Sequence, residues 1–141
     1  MKVEQAKQEF IQSWGVLGTQ WGINRTMAQI HALLLVSAEP LCADDVMEQL
    51  QISRGNTNTN IRELIDWQLV YKVLKQGERK EFFIAEKDIW KVAMRIIKER
   101  KKKEFDPLLE TVSQLQVIDG GKNSKEGKAF LKTMQSIESF A

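Results

Sequence analysis

Residues 40–85 read PLCADDVMEQLQISRGNTNTNIRELIDWQLVYKVLKQGERKEFFIA, and the fold can be inferred outward from this stretch. Its first half has apolar residues at helical spacing and its second half alternates apolar with polar residues, which predicts two helices and a hairpin. The predicted elements, in order, are a helix at Ala43–Leu50, a turn at Gln51–Ser53, a helix at Arg54–Leu69, and strands at Val70–Lys75 and Lys80–Ala85. Two helices joined by a turn of this length are typical of a helix-turn-helix, with the hairpin as its wing.

The regions on either side of this stretch are predicted to be helical. An amphipathic helix over Val3–Leu17 carries a narrow apolar stripe, and Gly15 and Gly18 are expected to loosen its end. Asn24 is expected to cap a second, almost entirely apolar helix that ends near Ser37.

Three more helices are predicted after the hairpin. The first covers about 87–104, with an inner side formed by Ile89, Trp90, Ala93, Met94, Ile96 and Ile97. The second begins at Asp106-Pro107, where Asp106 is expected to be the cap, and stops at Asp119-Gly120-Gly121. The last covers about 124–139.

The fold class is therefore mainly α: a winged helix-turn-helix with a two-stranded wing, plus N- and C-terminal dimerisation helices. Within a single domain of 1–141, residues 1–23 form the N-terminal dimerisation helix, 24–85 the winged helix-turn-helix and 86–141 the C-terminal dimerisation helices. A winged helix alone buries little apolar surface, and the stripe on the first helix needs a partner surface. We therefore expect a homodimer.

Composition narrows the class of function. With 141 residues, 43% of them hydrophobic, and a formal net charge of +2, total charge neither requires nor excludes nucleic acid. The single cysteine, Cys42, fits a reducing compartment, and no apolar run approaches the roughly 18 residues of a membrane span. We expect a cytoplasmic protein that is not an enzyme and holds no cofactor or metal, since no catalytic triad, phosphate loop or metal-ligand spacing is present. A redox role for Cys42 is left open.

The second helix of the motif separates into two faces. At about 100° per residue, one side of the helix gathers Thr57, Ile61, Leu64, Ile65 and Gln68, and of these Ile61, Leu64 and Ile65 are predicted to form the core face. The N-terminal part of such a helix normally reaches base edges, so the other face is predicted to read DNA sequence. Its candidates are Asn56, Asn58, Thr59 and Arg62, because asparagine can bond an adenine edge and arginine a guanine edge.

The start of this helix and the wing are predicted to hold the DNA backbone. Ser53 would cap the helix and leave amides for a phosphate, Arg54 would contact a phosphate, and Gly55 would let the backbone approach closely. Cations at the wing would contact phosphates or the minor groove, namely Lys75, Arg79 and Lys80. The alternative is that both are solvated surfaces with no partner.

The residues Arg54 to Leu64, RGNTNTNIREL, followed by DWQLV at Asp66–Val70, resemble the recognition helix of the GbsR-like branch of MarR-type transcriptional regulators. WGINR at Trp21–Arg25, leading into Ala32–Leu35, resembles the same branch. The resemblance covers most of Trp21 to Ala85. It implies a dimeric winged-helix regulator that is linked to osmotic adaptation and compatible-solute genes, and possible control by choline-type effectors.

The tryptophans have two interpretations. Trp14, Trp21 and Trp90 could simply pack in the core and the dimer interface. They could also form an effector pocket that attracts a quaternary ammonium group through cation–π contacts.

The sequence as a whole predicts a DNA-binding transcriptional regulator, a homodimer that represses by binding a pseudo-palindromic operator in double-stranded DNA. Two other classes stay open. One is a winged helix that binds another protein, and the other is an architectural DNA binder with little sequence preference. A strongly salt-dependent affinity for duplex DNA separates the first of these from a DNA binder.

Overall fold

The computed structural model describes residues 1–117 and 123–140, and the chain divides into two compact units, 1–95 and 96–141. The elements of the described ranges are α1 (Val3–Gln20), α2 (Arg25–Val36), β1 (Leu41–Cys42), α3 (Ala43–Leu50), α4 (Arg54–Asp66), β2 (Val70–Leu74), β3 (Glu81–Ala85), α5 (Ile89–Glu104), α6 (Asp106–Leu115) and α7 (Lys125–Phe140). The mainly α winged helix-turn-helix is confirmed. Helix α6 ends at Leu115, so the prediction that it continues up to Asp119-Gly120-Gly121 is wrong, and that stop signal itself lies outside the described residues. None of the described helices is long and apolar enough to cross a bilayer.

Helix α2 is the centre of the first unit. It packs against α1, α3, α4 and β3, and Ile30, Ala32 and Leu34 on it are almost completely inaccessible. Asn24 caps it as predicted, because its side-chain Oδ1 accepts hydrogen bonds from the backbone N–H groups of Thr26 (2.8 Å) and Met27 (3.4 Å). A helix that is apolar on almost every side is stable in water only when neighbours cover it, as they do here.

Helix α1 runs through Gly15 and Gly18 without interruption, so the expectation that these glycines loosen its end is wrong. The reason for Gly18 is the approach of α2: a Cβ atom at Gly18 would lie 2.6 Å from the Cβ of Ala28. A Cβ at Gly15 would lie 3.0 Å from Cγ of Gln29, which is part of a flexible side chain. Glycine has a low helix propensity, but at Gly18 the close packing of α1 against α2 outweighs it.

The sheet has three antiparallel strands in the order β1-β3-β2. The predicted two-stranded wing is formed by β2 and β3, with Val70 opposite Ala85 and Leu74 opposite Glu81. The strand β1 was not predicted, and it places Leu41 opposite Phe83. Two residues are too few to show the alternating pattern by which a strand is recognised in sequence.

The predicted inner side of α5 is wrong. None of its six residues is buried, and the side chain of Trp90 is 82% exposed, whereas Val92 is the buried residue of this helix. The spacing of apolar residues correctly located an apolar surface on α5. It could not show that the described residues of the chain leave most of this surface uncovered.

The connection from the wing to α5 is held by polar contacts. The ammonium of Lys87 donates to the backbone carbonyls of Leu34 (2.8 Å), Leu35 (2.7 Å) and Ser37 (3.2 Å). A cation at this position satisfies carbonyls that the helix leaves unpaired and interacts favourably with its negative C-terminal end. Lys87 therefore ties the segment after β3 to the end of α2.

A second cluster holds α5 to the base of the wing. Arg95 Nη1 donates to the carbonyl of Gln68 (2.7 Å) and to the hydroxyl of Tyr71 (2.6 Å), and it lies 3.3 Å from Glu86 Oε1. Helix α4 ends at Asp66, and Gln68 beyond it has a φ of 62° and is exposed, so the prediction that Gln68 continues the helix on the side of Ile61 and Leu64 is wrong.

In the second unit, α6 packs against α7. Helix α6 begins at Asp106 with Pro107 in its first turn, but the cap position is Phe105, so the prediction of Asp106 as the cap is off by one residue. The amide of Gln116 donates to Glu138 on α7 at 3.1 Å.

His31 is the one buried histidine of α2. The indole N–H of Trp14 donates to His31 Nδ1 at 3.2 Å, so the neutral ring carries its proton on Nε2, which has no hydrogen-bond partner within the described residues. Burial first, and the nearby charge of Lys87 second, lower the pKa of His31 from 6.5 to about 4. His31 is therefore neutral in the folded protein near neutral pH.

We expect Gly18→Ala to lower the free energy of unfolding by about 1–2 kcal/mol, because the added methyl meets a rigid neighbour on α2. Gly15→Ala is the matched control. It should be neutral or stabilising by up to about 1 kcal/mol, since Gln29 can move and alanine favours the helix. Urea unfolding at one fixed protein concentration measures the free energy of unfolding of both variants. Equal effects of the two substitutions would contradict the close approach of α1 and α2 at Gly18.

We expect the stability of the fold to fall as the pH drops through the window between the two pKa values of His31. The unfolded chain binds a proton near pH 6.5 that the folded chain binds only near pH 4, so the contribution is full above this window and lost as pH falls through it. Between about pH 7 and pH 4 the wild type should lose about 3 kcal/mol more than His31→Gln, in which this site does not titrate. Equal losses, measured by urea unfolding at each pH, would show that His31 is not desolvated.

Candidate nucleic-acid interface

The N-terminus of α4 is exposed and well capped. Ser53 precedes it in extended conformation, and its Oγ accepts a hydrogen bond from the backbone N–H of Asn56 at 3.2 Å. A Cβ at Gly55 would meet nothing within 4 Å, so the rest of the chain does not require glycine there. The absence of a side chain at Gly55 leaves room for something outside the chain to approach this end of the helix.

The inward face of α4 consists of Thr57, Asn60, Ile61 and Leu64, all buried, with Ile65 half-buried. The predicted readers Asn56, Asn58, Thr59 and Arg62 are all exposed, with Thr59 and Arg62 opposite the inward face and Asn56 and Asn58 on its flanks. The structure therefore places these four side chains on the accessible side of the helix. That they read DNA stays a prediction.

Asp44, on the first turn of α3, brings Arg54 and Lys80 together. Its Oδ1 lies 2.9 Å from Arg54 Nη2 and its Oδ2 lies 3.9 Å from Lys80 Nζ. All three side chains are more than half exposed, so these ion pairs contribute little to stability and an anion could replace the carboxylate. The role of Asp44 between two cations could not be predicted from the sequence, because an acidic residue in the first turn of a helix is already accounted for by the helix dipole.

These three residues line a groove between the two helices of the motif and β3. Its volume is about 200 Å³, and its lining consists of Cys42, Ala43, Asp44, Arg54, Asn58, Lys80, Glu81 and Phe83. The groove lies between the start of α4 and the wing, and it brings one predicted reading residue, Asn58, close to two predicted backbone contacts, Arg54 and Lys80.

Cys42 closes one side of the groove. It is buried, and both its backbone N–H (3.1 Å) and its thiol (3.3 Å) donate to the carboxylate of Asp45. The carboxylate of Asp45 thus compensates for the weak capping by a thiol at the start of α3. A redox role for Cys42 gains no support from this arrangement.

The wing carries the other predicted cations at its surface. Lys75, Arg79 and Lys80 are all exposed, and the ammonium of Lys75 lies 4.2 Å from the centre of the Phe82 ring. The cation–π contact with Phe82 restrains the position of the Lys75 ammonium, which is still exposed to solvent. These charges are available to an anionic partner.

Asn60 is a buried polar residue beside the predicted readers of α4. It is 4% exposed, and its Nδ2 donates both to the backbone carbonyl of Asn56 (2.8 Å) and to the side-chain Oδ1 of Asn56 (2.7 Å). The four-residue spacing places the two side chains on neighbouring turns, but only the structure shows that they bond.

The three tryptophans of the predicted effector pocket have different surroundings. Trp14 is half-buried and stacks near Phe10 and His31, with ring centroids at 5.5 Å and 5.8 Å. Trp21 is 47% exposed and Trp90 is 82% exposed. A shared effector pocket stays a prediction.

Comparison with known proteins agrees with this geometry. No protein-family model matches the chain. The chain is 32% identical over 89 residues to the HTH-type transcriptional repressor GbsR of Bacillus subtilis (strain 168), a match that covers 63% of this chain and 49% of that protein. It is 21% identical over 89 residues to the HTH-type transcriptional repressor OpcR of the same organism, covering 63% and 48% of the two chains. The chain spans about half the length of these curated relatives.

A solved structure extends the likeness of fold to almost the whole chain. The crystal structure of a transcriptional regulator superimposes with a TM-score of 0.68 at 18% sequence identity, covering 96% of this chain and 92% of the other. At this identity the likeness concerns the fold alone. The resemblance inferred from the motif in α4 is confirmed: this chain is similar in sequence to GbsR-like regulators of the MarR type, and its fold is a winged helix-turn-helix.

Proposed function

We propose that the chain is a sequence-specific transcriptional regulator that binds double-stranded DNA as a homodimer and represses its target genes. The observation that carries this proposal is the exposed polar face at the start of α4. Uncharged asparagine and threonine side chains are poor helix formers, so an ordinary solvated helix face would more readily use glutamate, lysine or glutamine. Their presence at the accessible end of a recognition helix is accounted for by contacts to base edges.

The groove beside α4 supports contact with the DNA backbone. Arg54 on α4 and Lys80 on the wing converge on the carboxylate of Asp44. A phosphate oxygen offers the same negative charge as that carboxylate and could take its place between the two cations. Backbone contact on both sides of the recognition helix would fix its register on the duplex.

Uncovered apolar surface supports the homodimer. The large exposed apolar side chains include Val3, Val16 and Leu17 on α1 and Ile89, Trp90, Met94 and Ile97 on α5. Large apolar side chains that are exposed together on a helix often mark a surface that a partner covers. A second copy would cover it and would carry a second α4 to the other half of a pseudo-palindromic operator.

The names of GbsR and OpcR as repressors support repression as the outcome. A link to compatible-solute genes and an effector that binds Trp14, Trp21 and Trp90 follow from the resemblance alone. Such an effector would act by changing the distance between the two copies of α4, provided that it binds the two arrangements with different affinity.

We expect sedimentation equilibrium at micromolar concentration to give twice the mass of the chain. Met94→Glu should weaken this dimer by about tenfold or more, because a carboxylate would be buried at the interface without a partner. A monomer for the wild type under these conditions would contradict both the homodimer and the paired-operator mechanism.

We expect reading and holding residues to differ in their effect on DNA binding. Asn56→Ala and Arg62→Ala should each cost about 1–3 kcal/mol on the preferred operator and less on random duplex, because they remove base contacts. Arg79→Ala and Lys80→Ala should weaken binding to both duplexes by similar factors and make the salt dependence shallower.

Fluorescence anisotropy with operator and random duplexes at several salt concentrations measures these effects. Arg25→Ala is the control, since this exposed arginine lies on α2, outside α3, α4 and the wing, and donates to Gln12 Oε1 (3.2 Å). If the wing substitutions changed the sequence preference and the α4 substitutions weakened binding to both duplexes equally, the roles assigned to α4 and the wing would be reversed. Weak binding of every duplex, insensitive to salt, would favour the alternative of a protein-binding winged helix.

A further inference from the structure

The hydrogen bond between Asn60 and Asn56 determines which way the exposed asparagine faces. The backbone carbonyl of Asn56 can only accept a hydrogen bond, so the Asn60 atom that lies 2.8 Å from it must be the amino group Nδ2. That nitrogen can only donate, so the Asn56 side-chain atom 2.7 Å away must be the oxygen, Oδ1. The chemistry of the two contacts thus assigns both amide orientations.

The burial of Asn60 makes this orientation stable. Asn60 is 4% exposed and lies at the edge of the inward face of α4, which also includes the buried residues Thr57 and Ile61. If the amide of Asn56 turned over, two amino groups would face each other at hydrogen-bond distance, and buried Asn60 would lose one of its bonds. An unsatisfied buried donor is costly, so the reversed orientation is disfavoured.

An asparagine without such a neighbour can present either its oxygen or its amino group to a base edge. Here Oδ1 of Asn56 is drawn toward Asn60, and the amino group is the end that is left for an acceptor. In the major groove guanine offers O6 and N7, thymine O4 and adenine N7, whereas cytosine offers only its amino group, a donor.

We propose that Asn60 is a specificity-determining positioning residue: it makes no contact with DNA, but it holds Asn56 with its amino group outward, as a hydrogen-bond donor, and so disfavours cytosine at the base that Asn56 contacts. This inference rests on the proposed function, because it concerns the same recognition helix. Asn60 acts through Asn56 and makes no base contact of its own.

The experiment compares the base preferences of the wild-type chain, Asn56→Ala, Asn60→Leu and the double variant by selection from randomised duplexes. The base position is first identified as the one at which Asn56→Ala loses its preference. At this position the wild type should disfavour cytosine by about tenfold relative to guanine, and Asn60→Leu should reduce the difference to about threefold or less, with affinity for random duplex unchanged. The change should vanish when Asn60→Leu is made in the Asn56→Ala background.

Thr57→Val is the matched control. Thr57 is also buried in α4. Its hydroxyl donates to the backbone carbonyl of Ser53 at 2.8 Å and not to the side-chain amide of Asn56. This substitution should lower stability and leave the base preference intact. An equal shift of preference in Thr57→Val and Asn60→Leu would show that Asn60 is merely structural, and would overturn the proposal.

A measurement on the free protein separates this proposal from the proposed function. The side-chain amide protons of Asn60 should be protected from exchange with water in nuclear magnetic resonance spectra, and Asn56→Ala should reduce that protection by about tenfold, because one of the two bonds is lost. Unchanged protection would refute the orientation even if the protein binds an operator. Clear protection together with no sequence preference in the wild type would refute the proposed function, and with it the role of Asn60 in specificity.

Discussion

The burial of α2 is the constraint on which the rest of the first unit depends. This helix is apolar on almost all sides, so it must be enclosed, and α1, α3, α4 and β3 each supply part of the cover. The close approach of α1 at Gly18 and the capping of the last carbonyls of α2 by Lys87 complete the enclosure. Because α4 contributes one face to this cover, its other face must point outward.

The outward face of α4 therefore follows from packing, and its chemistry follows from the residues placed there. Ile61 and Leu64 anchor the helix inward, which leaves Asn56, Asn58 and Arg62 accessible beside the wing. The same packing brings the start of α4 close to β3, so cations from two separate elements meet at Asp44. A rigid core thus positions side chains that are themselves free to exchange partners.

Polar contacts between neighbouring elements were beyond the reach of sequence patterns. Periodicity identifies which residues are apolar and on which face they lie, but a carboxylate such as Asp44 has the same pattern whether it faces water or two cations. The same holds for the bonds of Arg95 to the carbonyl of Gln68 and to Tyr71, which join residues far apart in the chain.

The order of the helices and the hairpin, the cap at Asn24, the turn before α4 and the resemblance to GbsR-like regulators could be inferred from the residues alone, because they depend on local propensity and on a contiguous motif. The packing of the folded chain was needed to show that Gly18 serves a helix crossing, that Gln68 lies beyond the end of α4, that most of the apolar side of α5 stays exposed among the described residues, and that buried Asn60 orients the amide of Asn56. Each of these depends on the distance between atoms that the chain brings together only when it folds, and a one-dimensional pattern carries no such distance.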